Sequence, residues 1–394
     1  MFEALPPAPT DKILALIELY RADPRPGKLD LGVGVYKDRD GRTPVMRAVR
    51  EAEKRLLASQ ETKTYLGLVG DAAFNMAMIR LVFGENADTA RIRAAQTPGG
   101  SGALRLCAEL IKRSRPEATV WVSDPTWANH VPILRDTGLK VREYPYFDAD
   151  TGTVRFEAML EALAKAESGD AVLLHGCCHN PTGANLNEAQ WTALAGLLAD
   201  KRLLPFIDIA YQGFGEGLDA DAAGLRIVAA KVPEMVAAAS CSKNFAVYRD
   251  RVGAAMVMGT NGTQADAALG HMLAAARTLY SMPPDHGAAA VRIVLGDPAL
   301  RADWEAELDE TRNRMLSLRV KFAEALRQRS NSDRFDFIAS HRGMFSRLGL
   351  TEAQVERLRN DHGVYMVGDS RINVAGLPED RLDDLAKAIV AVLD

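Results

Sequence analysis

Short apolar runs alternate with amphipathic helical patterns along most of this 394-residue chain, and no other feature limits its possible folds so strongly. The clear strand candidates are residues 119–123, 171–175, 204–209, 236–240 and 253–258, and helical patterns such as 187–201 lie between most of them. Strands that alternate with helices are typical of a mostly parallel sheet covered by helices. We therefore predict the α/β class with such a central sheet.

A change of pattern after residue 298 predicts the domain organisation. Residues 299–330 form a long, charged helical pattern, and short strands with a closing helix follow in residues 335–394. A helix of that length can run from one domain into another. We predict a large domain over residues 44–308 and a smaller α+β domain formed by residues 1–43 and 309–394, with a first helix at residues 11–21.

Composition limits the partners and the compartment. The formal net charge is -4 and the chain has four cysteines in 394 residues. An acidic balance does not attract nucleic acid or an anionic membrane surface, and so few cysteines are no disulfide framework. No run of eighteen apolar residues and no signal-peptide pattern is present. We predict a cytoplasmic protein that binds neither nucleic acid nor membrane.

Two charged residues follow or interrupt apolar strand patterns, where open α/β sheets bind their ligands. Lys243 comes after small hydroxyl residues that follow an apolar run, a setting suited to imine formation with an aldehyde cofactor. Asp208 lies inside an apolar strand pattern, where it could keep the nitrogen of a pyridinium ring protonated. The alternatives are a solvated surface lysine and a carboxylate paired with an arginine.

A glycine turn at residues 96–105 opens a helical pattern whose backbone N–H groups could hold a phosphate. The turn does not fit G-x-G-x-x-G, since the third glycine would fall on Arg105. It does not fit G-x-S-x-G either, since that motif would end on Ala103. A purely structural turn is the alternative.

A metal site is the first alternative raised by the segment His175-Gly-Cys-Cys-His179. His175, Cys177 and His179 would share one face of an extended strand. No fourth ligand or second cysteine pair follows at zinc spacing, so we predict no metal ion. Asn180, before a Pro-Thr-Gly turn, is the stronger functional candidate.

Five ordered segments together resemble one family: Leu-Gly-Val-Gly-Val-Tyr-Lys at 31–37, His-Asn-Pro-Thr-Gly at 179–183, Asp-Ile-Ala-Tyr-Gln-Gly-Phe at 208–214, Ser-Cys-Ser-Lys-Asn-Phe at 240–245 and Ser-Arg-Ile-Asn-Val-Ala-Gly at 370–376. The chain resembles the class I pyridoxal-phosphate-dependent aminotransferases, in the aspartate and aromatic subgroup of fold type I. The resemblance implies pyridoxal 5'-phosphate (PLP) as cofactor. It also implies ping-pong transfer of an amino group from an amino acid to 2-oxoglutarate, a 2-oxo acid, in a homodimer with shared active sites.

The resemblance also implies the residues that hold the cofactor. Lys243 forms the imine and shuttles a proton, and Asp208 and Tyr211 are the other catalytic residues. The implied cofactor contacts are Asp208 at the pyridine nitrogen, Asn180 and Tyr211 at the phenolic oxygen, Trp127 on the ring, and Gly100, Ser101, Ser240, Arg251 and the second subunit's Tyr65 at the phosphate.

Substrate contacts follow from the same resemblance. They are Gly34, Trp127, Asn180, Arg371 at the α-carboxylate, and Arg277 from the second subunit at a distal carboxylate. Taken singly, Trp127 and Tyr65 could be core or interface aromatics, and the two arginines could form surface ion pairs.

Substrate preference rests on departures from the aspartate pattern. The resemblance implies Asn in the segment Tyr-Ser-Asn-Pro-Pro and Thr in the phosphate turn of aspartate-dedicated members, whereas this chain has Met282 and Ser101. Met282 makes the wall near Arg277 softer and more apolar. Val35, Lys37 and Thr43 keep the aspartate pattern. We predict activity on both aspartate and aromatic amino acids, and strict aspartate specificity is the alternative.

Two other functional classes remain as alternatives. Ser240 and Lys243 fit the S-x-x-K motif of penicillin-recognising hydrolases, but no S-D-N or K-T-G string accompanies it. A non-enzymatic regulator on the same cofactor fold would usually carry a DNA-binding module, and this chain has no spare basic segment for one.

Overall fold

The computed structural model describes residues 2–6 and 12–393, so the predicted helix start at Asp11 lies outside the described residues. The helices are α1 (Lys12–Ala22), α2 (Arg47–Ser59), α3 (Ala72–Phe83), α4 (Gly99–Ser114), α5 (His130–Asp136), α6 (Phe156–Leu163), α7 (Glu188–Lys201), α8 (Leu218–Lys231), α9 (Gly262–Leu279), α10 (His286–Gly296), α11 (Pro298–Ser330), α12 (Phe337–Ser340), α13 (Glu352–His362) and α14 (Leu382–Ala391). The strands are β1 (Leu29–Asp30), β2 (Ile92–Pro98), β3 (Thr119–Asp124), β4 (Lys140–Pro145), β5 (Phe147–Asp148), β6 (Thr153–Val154), β7 (Ala171–His175), β8 (Leu204–Ile209), β9 (Met235–Ser240), β10 (Val252–Met258), β11 (Phe345–Arg347), β12 (Val364–Tyr365) and β13 (Arg371–Asn373).

A seven-stranded sheet in the order β2-β10-β9-β8-β7-β3-β4 forms the centre of the molecule. β10 is antiparallel to both of its neighbours, and the other pairs are parallel. The predicted α/β class and mostly parallel sheet are therefore confirmed. All five predicted strands belong to this sheet.

Alternate residues of the central strands pack against different layers of helices. On β8, Phe206 joins the apolar cluster that contains α4 residues, whereas Ile207 joins the cluster on the other face. On β9, Val236 and Ala237 divide in the same way. Successive side chains of a strand point to opposite faces of the sheet, so strands buried on both faces contain apolar residues in succession.

A second apolar core lies outside the sheet. Leu29 and Leu31 pack there with residues from α11, α13, α14 and the short strands near the C-terminus. The 33-residue α11 belongs both to this second core and to the cluster that contains Ile207, which we call the large cluster. Trp304 and Leu308 pack in the large cluster, and Phe322 and Leu326 pack in the second core. The long helix thus connects two separately packed cores.

Among residues 2–6 and 12–393, no helix combines the length and the apolar character that crossing a membrane requires.

Candidate active site

The carboxyl ends of the central strands and the start of α4 surround a cavity of about 240 Å³. Parallel strands end at the same edge of the sheet, so residues far apart in sequence meet there. The predicted site residues that line this cavity are Gly34, Gly100, Ser101, Trp127, Asn180, Asp208, Tyr211, Ser240, Lys243 and Arg251.

Lys243 lies in the wall of the cavity and not on the outer surface. Its Nζ is 4.5 Å from the centroid of the Tyr211 ring. Burial lowers the pKa of Lys243 to about 8, and the charges of Arg251 and Arg371 act in the same direction against the opposing effect of Asp208. A lysine with a pKa near neutrality has a substantial fraction of unprotonated amine, which is the nucleophilic form.

The turn that carries Lys243 is held by the long helix α11. Trp304 Nε1 donates a hydrogen bond of 2.7 Å to the carbonyl oxygen of Asn244, the residue after Lys243. The Trp304 ring also stacks on Phe245, with 4.3 Å between centroids and 4° between planes. Trp304 therefore holds both of the residues that follow Lys243 in sequence.

Asp208 is buried, and its partner is a histidine. Its Oδ2 lies 2.9 Å from His130 Nε2, and Thr126 Oγ1 lies 2.8 Å from His130 Nδ1 and 3.1 Å from His175 Nε2. Burial would raise the pKa of Asp208, but the hydrogen bond and charge of His130 and the nearby Lys243 outweigh it, so this pKa lies below its usual value. The arginine partner considered as an alternative is wrong. Since His130 is 78 residues from Asp208 in sequence, spacing gave no signal for it.

Asn180 and Tyr211 meet beside Lys243. Asn180 Nδ2 donates to the Tyr211 hydroxyl at 3.3 Å, and Asn180 Oδ1 is buried with no hydrogen-bond partner among residues 2–6 and 12–393. Burial raises the pKa of Tyr211, so its hydroxyl keeps its proton at neutral pH. An unsatisfied oxygen and a protonated hydroxyl leave hydrogen-bonding capacity for a ligand.

The first turn of α4 forms an anion cradle in the wall of the same cavity. α4 has no side-chain cap at its N-terminus, which leaves backbone N–H groups of its first turn available. Gly99 has φ +71, and a Cβ there would collide with the Arg251 guanidinium. A Cβ at Gly100 would lie 2.9 Å from Ser240 Cβ. Glycines therefore let a helix N-terminus, a hydroxyl and a guanidinium converge, a set of groups that favours a phosphate.

Arg371 lines an adjoining cavity of about 570 Å³, which shares Trp127 and Asn180 with the first one. Its Nη2 donates to the carbonyl oxygen of Gly32 at 2.8 Å, and its Nε has no hydrogen-bond partner in the part of the chain that the structure describes. The guanidinium lies 4.4 Å from the centroid of the Phe345 ring. Arg371 is therefore a buried cation with a free donor at the edge of the site, not a surface ion pair.

Tyr65 and Arg277 do not reach either cavity. Tyr65 lies between α2 and α3 with 90% of its surface exposed. Arg277 lies in the last turn of α9 and donates to Ser281 Oγ at 2.6 Å. This chain by itself does not bring these two predicted residues to the site.

The histidines of the segment considered for metal binding have other partners. His179 Nε2 lies 3.0 Å from Ser123 Oγ, and its Nδ1 lies 2.9 Å from Thr182 Oγ1. Burial lowers the pKa of His175 to about 3, so its ring is neutral at physiological pH. Both ring nitrogens of His179 are thus engaged inside the protein.

A buried lysine at strand ends, an acidic residue inside the sheet and a helix N-terminus for a phosphate define a PLP-dependent transferase. The chain belongs to the family described as aminotransferase class I and II, whose sequence profile matches residues 26–389. It is 53% identical to the aromatic-amino-acid aminotransferase of Paracoccus denitrificans and 47% identical to the aspartate aminotransferase of Escherichia coli (strain K12), each over 100% of both chains.

Solved structures agree with this membership. An aromatic amino acid aminotransferase with 3-indolebutyric acid has a TM-score of 0.97 and 53% identity, and it covers 100% of each chain. The aromatic-amino-acid aminotransferase of Burkholderia pseudomallei, covalently bound to PLP, has a TM-score of 0.97 and 44% identity, again over 100% of each chain. The predicted fold type I architecture, transaminase class and PLP cofactor are confirmed, and the serine hydrolase and regulator alternatives are wrong.

The cavity residues fit this cofactor. Lys243 supplies an amine for the aldehyde carbon, and the protonated hydroxyl of Tyr211 supplies a hydrogen-bond donor for the phenolic oxygen. The start of α4 supplies N–H groups for the phosphate, and Asp208 supplies an anion for the ring nitrogen. The lining of the cavity thus has the charges and donors that the cofactor requires.

Proposed function

We propose that this aminotransferase transfers the amino group of aspartate and of aromatic amino acids to 2-oxoglutarate in a ping-pong reaction through Lys243. The observation that carries the proposal is Arg371, a buried cation with a free donor beside the cavity of Lys243. An α-amino acid needs a carboxylate site next to the group that handles its amine, and Arg is suited to bidentate carboxylate binding. The names of the two relatives reported above support both substrate classes.

Each cavity residue has a proposed part in binding the cofactor. When bound, PLP withdraws electrons from the substrate Cα. Lys243 would bond to its aldehyde carbon, and once released it would move the proton from Cα. Asp208 would keep the ring nitrogen protonated. The remaining contacts are Trp127 on the ring, Asn180 and Tyr211 at the phenolic oxygen, and Gly100, Ser101, Ser240 and Arg251 at the phosphate.

The substrate side of the site is proposed to use Arg371 and Asn180 for the α-carboxylate, with Gly34 leaving space beside it. A Cβ at Gly34 would lie 2.9 Å from Phe345 Cζ, so the absence of a side chain keeps this position clear. Trp127 belongs to both adjoining cavities and would contact the cofactor on one side and the substrate on the other.

We propose that Tyr65 and Arg277 complete the site of a second subunit in a homodimer. Their exposure and their distance from the cavities of their own chain support this arrangement. Met282 contacts the segment of Tyr65, because its sulfur accepts a hydrogen bond of 3.1 Å from the backbone N–H of Leu66, and it follows Ser281, to which Arg277 donates. An apolar thioether beside Arg277 would tolerate an aromatic side chain, and the arginine would bind a dicarboxylate.

The test is to compare kcat/KM for aspartate, tyrosine, phenylalanine and tryptophan with 2-oxoglutarate as acceptor, in the wild type and in Arg277→Leu. We expect aspartate to lose about 2–5 kcal/mol of transition-state stabilisation, the range for removing one hydrogen-bonded charge partner, while phenylalanine changes little. Equal losses would show that Arg277 serves the fold or the α-carboxylate. Activity with aspartate alone in the wild type would favour the strictly aspartate-specific alternative.

We propose the domain division predicted from sequence, with residues 44–308 as the large domain and residues 1–43 and 309–394 as the small one. The change of core along α11 supports a division within this helix, although it falls between Met315, in the large cluster, and Leu318, in the second, and therefore later than residue 308. We also propose a cytoplasmic location, supported by four cysteines that are buried and free.

A further inference from the structure

Arg319, on α11, is completely buried and forms no ion pair with any residue in the described part of the chain. Burial lowers its pKa to about 9, so the guanidinium is still charged at neutral pH. Its acceptors all lie in one segment, residues 338–346: Ile338 O (3.2 Å), Ser346 Oγ (2.7 Å), Gly343 O (2.7 Å) and Phe345 O (2.7 Å). Since a buried charge is costly unless it is hydrogen-bonded, these four bonds tie the segment firmly to the helix.

The same segment contacts the loop that carries Asn180. The backbone N–H of Arg342 donates to the carbonyl oxygen of Gly183 at 2.9 Å. Gly343 has φ +80 and lies directly against Cys178, so that a Cβ there would collide with the cysteine side chain. A shift of the segment would therefore displace the loop on both sides of Asn180.

Phe345 connects the segment to Arg371. Its ring lies on the Arg371 guanidinium, with 4.4 Å to the centroid, and its edge faces Tyr211 at 6.1 Å between centroids. Because Arg319 binds the carbonyl oxygen of Phe345, the position of that ring depends on the buried guanidinium.

We propose that Arg319 is a positioning residue for the α-carboxylate pocket, acting through residues 338–346 on Asn180 and on Arg371. The inference rests on the proposed function in which these two residues bind the α-carboxylate. Arg319 touches neither substrate nor cofactor, and it fixes the spacing between the two groups that do. Carboxylate binding then depends on Arg319, whereas covalent attachment of the cofactor at Lys243 does not depend on Arg319.

The test measures dissociation constants of succinate and 3-indolebutyrate, two carboxylic acids without an amino group, in the holoenzyme. Arg319→Lys keeps a positive charge, but a single ammonium nitrogen cannot reach acceptors that two guanidinium nitrogens serve. We expect the dissociation constant of each acid that binds the wild type to rise about tenfold, with cofactor content and the pH titration of its absorbance unchanged.

A matched control separates positioning from stability. Leu385→Ala removes a buried side chain of the second core and none of the hydrogen bonds to residues 338–346. Both variants should lower Tm, but only Arg319→Lys should weaken carboxylate binding. If Arg319→Lys is insoluble, Ser346→Ala removes one of the four bonds and should give a rise of about threefold. Dissociation constants within twofold of the wild type in the soluble variant would overturn the proposal.

A double-mutant cycle with Arg371→Ala separates a failure of the proposed function from a failure of the positioning role of Arg319. If Arg319 acts through Arg371 and Asn180, the effect of Arg319→Lys should be smaller once Arg371 is gone, because only the part that acts through Asn180 remains. Unchanged binding in Arg371→Ala alone would contradict the proposed function. If Arg371→Ala weakens carboxylate binding as expected and the two substitutions have additive effects in the double variant, only the role of Arg319 is contradicted.

Discussion

At the scale of single residues, the site depends on charges whose usual behaviour is altered by burial. Lys243 and Asp208 shift in the directions that keep an amine partly neutral and a carboxylate ionised. Burial disfavours both charged forms, so it lowers the pKa of Lys243, whereas the pKa of Asp208 falls because the hydrogen bond from His130 and the nearby positive charges outweigh burial. The ionised state of Asp208 therefore depends on His130 as well as on Lys243.

The pH dependence of Lys243 labelling follows from its pKa of about 8. In the cofactor-free protein, its acetylation rate should rise with pH through about 8 and then level off, whereas exposed lysines should level off only near ~10.4. Asp208→Asn removes an anion that raises this pKa, so the plateau should be reached at lower pH. Competitive labelling with acetic anhydride and mass spectrometry measures both profiles. A plateau for Lys243 at the pH of exposed lysines would contradict the shift.

Asp208 and His130 should affect one chemical step to different extents. Asp208→Ala should slow Cα proton abstraction in a single turnover by ~10²–10³, as for loss of an essential electrostatic stabiliser. His130→Phe should cause a smaller loss, because burial then raises the pKa of Asp208 without the opposing hydrogen bond. In that variant, activity should begin to fall at a higher pH as the solution is acidified. Tyr144→Phe, which removes a buried hydrogen bond to Leu173 O, is the control that should leave the rate of Cα proton abstraction and the pH dependence of activity unchanged.

At the scale of elements, sequence patterns predicted the buried strands well and the outer ones poorly. β8 and β9 are apolar except for Asp208 and Ser240 and are enclosed on both faces, and such short buried runs give a clear strand signal. β4 was missed because, as an edge strand, it is largely exposed and carries Lys140, Arg142 and Glu143. β2 was missed because its Gln-Thr-Pro end merges with the glycine turn into α4.

In the candidate site, likewise, the sequence predicted residues that lie in local motifs and missed residues whose role depends on distant partners. The family resemblance gave ten of the cavity residues, and six of them, including Lys243 and Asp208, lie in the five ordered motifs. His130 and Arg319 carry no motif signal, since their partners lie 78 positions away in one case and 19 to 27 in the other. Contacts of that kind follow from how the sheet and α11 pack, and a single sequence does not encode them in its spacing.

The division of α11 between two cores gives a prediction at this scale. Phe322 is completely buried in the second core, and replacing it with alanine should cost about 3–5 kcal/mol of local stability. Hydrogen exchange measured by mass spectrometry should become faster in α13, α14 and β13 than in β7, β8 and β9. Trp304→Phe in the first half of the helix should instead affect the turn that carries Lys243. A uniform increase across both cores in Phe322→Ala would show that they unfold as one unit.

At the scale of the whole molecule, exposed apolar side chains indicate a further surface to be covered. Phe2, Leu5 and Leu57 expose 77%, 67% and 85% of their surface, and Tyr65 exposes 90%. Such exposure is typical of side chains that pack in an assembly, because large apolar residues gain by leaving water. The proposed homodimer would bury exposed side chains of this kind, Tyr65 among them.

Complementation between two inactive variants tests the shared site. Lys243→Ala lacks the essential amine, and Tyr65→Ala with Arg277→Ala lacks the groups proposed to come from the second subunit, so each homodimer should be nearly inactive. In a hybrid dimer, one site has Lys243 from one chain and Tyr65 and Arg277 from the other, and the second site has none of them. Random mixing makes about half of the dimers hybrid, each with one complete site of two, so activity should recover to ~25% of wild type. Co-expression with two affinity tags isolates the hybrid for assay. An intact but inactive hybrid would mean that each chain builds its own site.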